Sequence, residues 1–327
     1  MTLDSRAKRA RFLAGVTAGT AASLLGIPNA GAQTPSALFP LRLGATSSDD
    51  SVSVVYAQRS GLFAKAGFDV QIDRQNSGAA VAAAVASGTY DFGKSSLPSL
   101  IEAHERGVPF VLVAPAALYD PRAPYAAVLI GRDSPVRTGK DANGLTFSVA
   151  ALSDLGHVAL QAWVDRNGGD SKSVHFVEIP FSAVAPAVDQ GRVAGGEVSE
   201  PTMAAALATG KFRIINTGLA IAPSFYITAW FTTKDFSAKH PGIVRAFARV
   251  VGASATYTNA HHAETAPMMA DYTSVPLAII AQMTRAVEGI RLGEAQIQPL
   301  IDASVKYGTI KRSFPARDLI DPAVARL

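Results

Sequence analysis

One order of strands and helices occurs twice along the chain, about 105 residues apart, and it restricts the fold more than any other feature of the sequence. In the first copy, apolar patterning predicts a strand over 41–45, a helix over 51–60 ended by Gly61, and a strand over 68–72. An Ala/Val-rich helix follows over 78–86, ended by Gly88; then come a short strand over 90–93, a helix capped by Ser96 or Ser99 running toward Arg106, and a strand over 108–114. In the second copy the strands fall at 145–149 and 174–179. Its helices fall at 155–166, ended by Asn167-Gly168-Gly169, and at 183–190, ended by Gly191. Gly191 lies 103 residues after Gly88, and Ala183, Val184, Ala185, Ala187 and Val188 match Ala80, Val81, Ala82, Ala84 and Val85. Arg166-Asn167-Gly168 matches Arg59-Ser60-Gly61 at 107. Two copies at this spacing are a duplicated lobe and not a solenoid unit. The alternating order predicts an α/β fold with a parallel, helix-covered sheet in each lobe.

Pro115, Pro121 and Pro124 interrupt the pattern after the first copy, and Gly218 and Pro223 after the second, so the chain is expected to cross between lobes there. The predicted division is 38–118 plus 226–327 for lobe one and 119–225 for lobe two. The remaining stretches, 241–257, 276–289 and 293–307, read as helices, with proline at several starts.

The 327 residues carry 30 Lys+Arg against 26 Asp+Glu, a net of +4 that on its face suggests an acidic partner. The placement of that charge removes the suggestion. Arg6, Lys8, Arg9 and Arg11 against Asp4 supply three of the four charges, and this basic cluster precedes an apolar, uncharged stretch from 12 to 27 and the small residues Ala30-Gly31-Ala32. That is the pattern of a secretory leader, residues 1–32, with cleavage expected after Ala32. The stretch is too short and too rich in Ala, Gly and Thr to cross a bilayer core of about 30 Å. Beyond it the balance is +1, with basic residues neither clustered nor interleaved with aromatics, so a nucleic-acid partner is not expected. The chain has no cysteine, which excludes disulfides, thiolate metal sites, a cysteine nucleophile and lipid attachment after the leader. The expected location is periplasmic.

In open sheets of this kind ligands bind beyond the carboxyl ends of the strands, where loops enter helix N-termini. The candidate ligand-binding residues there are Ser47, Ser48 and Asp49; Asn76, Ser77 and Gly78; Lys94, Ser95 and Ser96; and, in the second copy, Ser153, Asp154 and Glu197. Tyr119 and Tyr226, near the crossovers, are best placed to stack on a ring. Short polar side chains leave backbone N–H groups free for an anion, although each residue taken alone reads equally as a helix cap. Lys94 either pairs with a ligand's negative group or is a solvated lysine, or one paired with Asp91 or Glu197. Asp49, Asp50 and Asp154 would instead suit an amine or a pyrimidine. Glu197 and Glu200 read as paired carboxylates or as polar cleft contacts. His261 and Glu264, three apart on a helix, have no evident third ligand for a metal. The nucleophile-elbow, P-loop, dinucleotide and zinc-protease motifs are absent, so no catalytic residue, metal or cofactor is assigned.

These residues lead to a family. Residues 56–70, YAQRSGLFAKAGFDV, resemble the A-x-x-x-G-L-F-x-x-x-G-x-x-V opening of periplasmic solute-binding proteins of the nitrate/sulfonate/taurine type. Ala86-Ser87-Gly88-Thr89-Tyr90-Asp91-Phe92-Gly93 resembles that family's A-x-G-x-x-D-F-G, and Asp133-Ser134-Pro135-Val136 its D-S-P-I. Gly191-Arg192-Val193, leading to Glu200-Pro201, is similar to its G-x-V-D-A…E-P, although Ala194 and Gly195 replace the Asp and Ala. The resemblance spans about residues 41–201. It implies a type II periplasmic-binding-protein fold, two lobes joined by a two-strand hinge with a helical C-terminal part. It also implies a small solute clamped between the lobes and handed to the permease and ATPase of an ABC importer; the chain is expected to be a monomer, and the helix N-termini and Lys94 favour a sulfonate- or carboxylate-like anion as that solute. The rivals are a pyrimidine-type thiamine-precursor binder, a sensor, and a two-lobed enzyme. The enzyme is disfavoured because the related fungal thiamine-precursor synthases carry a cysteine-rich motif.

Overall fold

The computed structural model describes residues 37–327, and the expected leader lies outside the described residues. The first sheet collects β1 (Phe39–Thr46), β2 (Phe68–Gln75), β3 (Phe92–Ser96) and β4 (Phe110–Pro115). The helices α1 (Val52–Arg59), α2 (Leu62–Lys65), α3 (Gly78–Ala86) and α4 (Leu97–Glu105) lie between these strands in the chain. A two-residue strand β5 (Ala117–Leu118) starts the first crossing. The second sheet collects β6 (Ala126–Gly131), β7 (Thr146–Val149), β8 (His175–Glu178), β9 (Gly195–Ser199) and β10 (Phe212–Ile215). Its helices are α5 (Leu155–Arg166), α6 (Phe181–Asp189) and α7 (Thr202–Ala208). The chain then returns to the first sheet as β11 (Thr228–Thr233). It finishes through α8 (Lys234–Lys239), α9 (Pro241–Ala260), α10 (His262–Thr273), α11 (Leu277–Ile280), β12 (Val287–Glu288) and α12 (Gln298–Lys306).

The sheet orders are β2-β1-β3-β11-β4 and β10-β6-β9-β7-β8. In each, the first strand of a copy lies between and parallel to the two that follow it, with Gly44 paired to Gly93 in one and Ser148 to Gly196 in the other. The expectation of wholly parallel sheets is corrected at one position in each. β11 lies antiparallel beside β3 and β4, and β6 antiparallel beside β9 and β10. Both strands arrive from the other lobe and therefore enter at the carboxyl edge running backwards. The crossing segments pair with each other: Tyr119 N–H donates to Phe225 O at 2.7 Å, and Ile227 N–H to Ala117 O at 2.8 Å. They form a two-strand, antiparallel joint between the lobes.

Gly88 and Gly191, at φ of 76° and 67°, end α3 and α6 in the left-handed conformation that glycine adopts without penalty. Gly93 lets α3 lie against the sheet, since a Cβ there would sit 2.6 Å from Val81 and 2.7 Å from Val85. Strand alternation divides the core of lobe two. Val128 and Ile130 face Phe147, Leu160 and Val164 on one side; Ala127 and Leu129 face Val184, Val198 and Phe212 on the other. In lobe one, Phe92 stacks on Phe247 of α9 at 4.2 Å.

Two element boundaries differ from expectation for one reason. Lys94-Ser95-Ser96 and Glu197-Val198-Ser199 are strand and not loop, because Trp230 and Val128 from the reversed strands pair with Lys94 and Glu197. Likewise 276–289 is mostly not helix: β12 pairs antiparallel with β5 of the first crossing.

Candidate functional site

The residues before α1 turn inward. Asp49 and Asp50 are buried, and each meets a buried cation. Lys94 ion-pairs with Asp50 and also donates to Ser48 Oγ at 3.0 Å. Asp50 further accepts from Ser48 and, at 2.7 Å, from Thr228 of β11, with the Tyr125 hydroxyl 3.5 Å away. Burial alone would raise the Asp50 carboxyl; the Lys94 charge, with hydrogen bonds from Lys94, Ser48 and Thr228, holds it below its ordinary value. Arg285 donates from Nε to both oxygens of Asp49 at 2.9 and 3.0 Å, and Ala286 N–H adds a bond at 2.7 Å. Burial still leaves Asp49 raised, with Arg285 offsetting only part of it. Glu288, buried, accepts from Ser53 at 2.7 Å, and burial drives its carboxyl well above its ordinary value.

Lobe two presents the opposite balance. Asp154 caps α5, accepting from Leu155 N–H at 2.8 Å, and it also accepts from Ser96 Oγ of lobe one at 2.5 Å. Glu197, 7% exposed, accepts from Ala150 N–H at 3.0 Å and packs on α5 where Gly156 has no side chain; a Cβ there would sit 2.1 Å from the carboxyl carbon. Glu200 accepts from Ala204 N–H at 2.9 Å and, across to the C-terminal part, from Thr284 N–H at 3.2 Å. Burial raises Asp154. Burial, then the Asp154 charge, pushes Glu197 up to about 7, and burial pushes Glu200 to about 7. Among the described residues no lysine or arginine ion-pairs with any of the three. A small cavity lies between the lobes, lined by Leu155, Gly156, Glu197 and Thr217 of lobe two and by Tyr119, Phe225 and Ile227 of the crossings.

The structure therefore brings Ser48 and Lys94 together on Asp50, sets Asp49 in a separate buried pair with Arg285, and brings Ser96, Asp154 and Glu197 to the interlobe cleft. Lys94 is neither solvated nor paired with Asp91 or Glu197; its partner is Asp50, one strand away. Ser47, Asn76 and Ser77 are exposed, and Ser77 caps α3 by accepting from Ala80 N–H. Gly78 sits against Ser95, whose buried hydroxyl has no partner. Ser153 holds a positive φ of 68° and donates its N–H to His157 Nδ1 at 3.0 Å. Neither predicted tyrosine offers a free ring face. Tyr119 is stacked on Phe225 at 4.8 Å with its hydroxyl on Asn216, and Tyr226 donates its hydroxyl to Arg291 O. The charge that raises Glu197, after burial, is that of Asp154 and not of Glu200. His261 stacks on Tyr257, and no group of three metal-ligating residues exists among the described residues. Tyr125, Thr228, Arg285 and Glu288 were not predicted; only tertiary pairing brings them to Asp49 and Asp50.

Two helix-covered sheets, each completed by an antiparallel strand entered from a crossing and joined by two crossing segments, are the periplasmic-binding-protein fold. The periplasmic aliphatic sulphonate binding protein SsuA from Escherichia coli superposes with a TM-score of 0.74 at 17% identity, covering 88% of this chain and 98% of that one. The periplasmic nitrate-binding protein NrtA from Synechocystis PCC 6803 gives 0.72 at 13%, covering 88% and 86%. The chain belongs to the NMT1/THI5 like family, whose profile matches residues 49–265. The taurine-binding periplasmic protein of Escherichia coli (strain K12) is 27% identical over 195 residues, 59% of each chain, so the match spans under two thirds of that relative.

Proposed function

We propose that the chain is the extracytoplasmic solute-binding component of an ABC importer, a monomer that closes two lobes on a small organic solute and presents it to a membrane permease driven by an ATPase. The observation that carries this reading is the interlobe cavity. Its wall is made by the start of α5, by β6 and Glu197 of β9, and by the crossing residues Tyr119, Phe225 and Ile227, and the two lobes are bridged by Ser96–Asp154 and Glu200–Thr284. Lobe one is assigned 38–118 plus 226–327 and lobe two 119–225, turning about the paired crossings. Family membership and the names of the relatives, binders of taurine, sulphonate and nitrate, support the same class. Ser48, Ser96, Ser153, Asp154 and Glu197 are assigned to the solute side, with Ser47, Asn76 and Ser77 at the rim.

The site reads as non-catalytic, since Asp49 and Asp50 are committed to ion pairs. The expectation of an anion rested chiefly on Lys94. Because its ammonium is occupied by Asp50, Lys94 acts on a solute only by fixing Ser48 and Asp50. A ligand that binds only the folded state stabilises it, by about 2.7 kcal/mol at a hundredfold excess over Kd. A thermal-shift screen of the chain lacking residues 1–32 against sulfonates, carboxylates, amino acids and pyrimidines is expected to raise Tm for one class. A screen in which no solute shifts Tm contradicts the reading.

A further inference from the structure

The two copies can be aligned on the strand pairs at their centres, Gly44 with Gly93 and Ser148 with Gly196. Six residues beyond Gly44 stands Asp50, and six beyond Ser148 stands Asp154; each precedes the helix that follows the central strand. One residue beyond Gly93 stands Lys94, and one beyond Gly196 stands Glu197. The same corner of the fold thus holds an Asp–Lys ion pair in lobe one and an Asp–Glu pair in lobe two. The first is neutral and self-contained, with side-chain exposures of 1% and 3%. The second lacks its cation.

Among the described residues none supplies it. The hydrogen bonds at the lobe-two corner come from Leu155 N–H, Ala150 N–H and the Ser96 hydroxyl, all uncharged. Glu197 is over nine-tenths buried and lines the interlobe cavity, and Ala150 reaches only its Oε2; among the described residues no donor reaches Oε1. A buried carboxylate beside a second carboxylate either takes a proton or finds a cation. Beside the polar groups of Thr217 and Tyr119, the cavity wall has apolar surface from Leu155, Phe225 and Ile227, which suits the short hydrocarbon stem of an amine.

We propose that Asp154 and Glu197 form a receptor for a cationic nitrogen, so that the solute carries an alkylammonium group occupying the place that the Lys94 ammonium fills in lobe one. This rests on the reading of the interlobe cavity as the solute site. Closure would seat the ammonium between the two carboxyls, with Ser96 of lobe one completing the ring of polar contacts.

The test uses matched probes that differ only in the nitrogen: taurine and isethionate, β-alanine and 3-hydroxypropionate, 1,3-diaminopropane and 1,3-propanediol. Calorimetry and thermal shift at pH 8 on the chain lacking residues 1–32 are expected to show at least one amine binding tenfold or more tighter than its hydroxyl counterpart. Glu197→Gln should reduce that preference to threefold or less. Glu197→Lys, which recreates the lobe-one pair, should raise the solute-free Tm and bind no amine. Hydroxyl probes that bind as well as the amines, an amine preference that survives Glu197→Gln, or no binding by any amine each overturn the inference. If an anionic or neutral solute binds instead, the solute-binding reading stands and this inference alone falls; if no solute of this set or the wider screen binds, both fall.

Discussion

Replacing Lys94 with Met tests whether this residue is a structural ion-pair partner or a ligand contact. The substitution keeps most of the side-chain volume and removes only the ammonium, leaving Asp50 buried with Ser48, Thr228 and the more distant Tyr125 as donors. Neutral hydrogen bonds of this kind are worth about 1 kcal/mol each and do not replace a charge. Breaking one half of a buried pair costs about 3–5 kcal/mol, because the other half is stranded. Changing both, as Lys94→Met with Asp50→Asn, keeps the Thr228 bond and should recover most of that loss, since well-packed neutral replacements of buried pairs are often close to neutral. Urea unfolding of the four proteins gives the cycle directly. The pH dependence carries a sign. Lys94 holds the Asp50 carboxyl below its ordinary value; without it, burial raises that carboxyl, and the acid can enter the core protonated at low pH. The deficit of Lys94→Met should therefore be smaller at pH 5 than at pH 8. A loss below about 1 kcal/mol, or a double variant no better than the single, would refute the reasoning.

Other perturbations report on the lobe-two corner. Glu197 ionises near 4.5 in the unfolded chain and near 7 when folded, so between those values the folded state keeps a proton the unfolded state has lost, and stability falls as pH rises. The shift corresponds to about 3 kcal/mol, fully expressed above pH 7. Glu197→Gln should thus gain on the wild type by about that much between pH 5 and pH 8 in solute-free urea melts; equal differences at both pH values would contradict it. Gly156→Ala places a methyl 2.1 Å from the Glu197 carboxyl carbon, so it should cost about 1–3 kcal/mol and weaken solute binding, and an unchanged melt and affinity would remove Glu197 from that position. Gly93→Val should destabilise lobe one by a similar mechanism, through Val81, Val85 and Phe231, with Tm as the readout.

Much of the fold was legible because its signals are local. The helices 78–86 and 155–166 fall where periodicity and end glycines place them, and the repeat gives the alternation of strands and helices along both copies. What was not legible depends on pairing between distant segments. β6 and β11, each entered from a crossing, insert antiparallel into the two sheets, and that pairing makes Lys94 and Glu197 strand residues with buried side chains. The loop clusters 46–50, 94–96 and 151–154 were readable as helix starts at strand ends. Their chemistry was not, because Arg285 reaches Asp49 across 236 positions and Thr228 reaches Asp50 across 178. Tyr119 and Tyr226 lie near the crossings as predicted, but stacking on Phe225 commits the Tyr119 ring to the joint, and Tyr226 is buried beside Gly289 with its hydroxyl on Arg291 O.

Closure of the two lobes on a solute can be measured as a distance. The chain has no cysteine, so spin labels at Ala83→Cys on α3 and Ser182→Cys on α6, both exposed, report on one position in each lobe without background. With the solute that raises Tm added to saturation, the distance distribution by pulsed electron resonance is expected to shift and narrow toward a single closed population, as ligand binding stabilises the state in which both lobes contact it. An unchanged distribution at saturation would contradict the clamp.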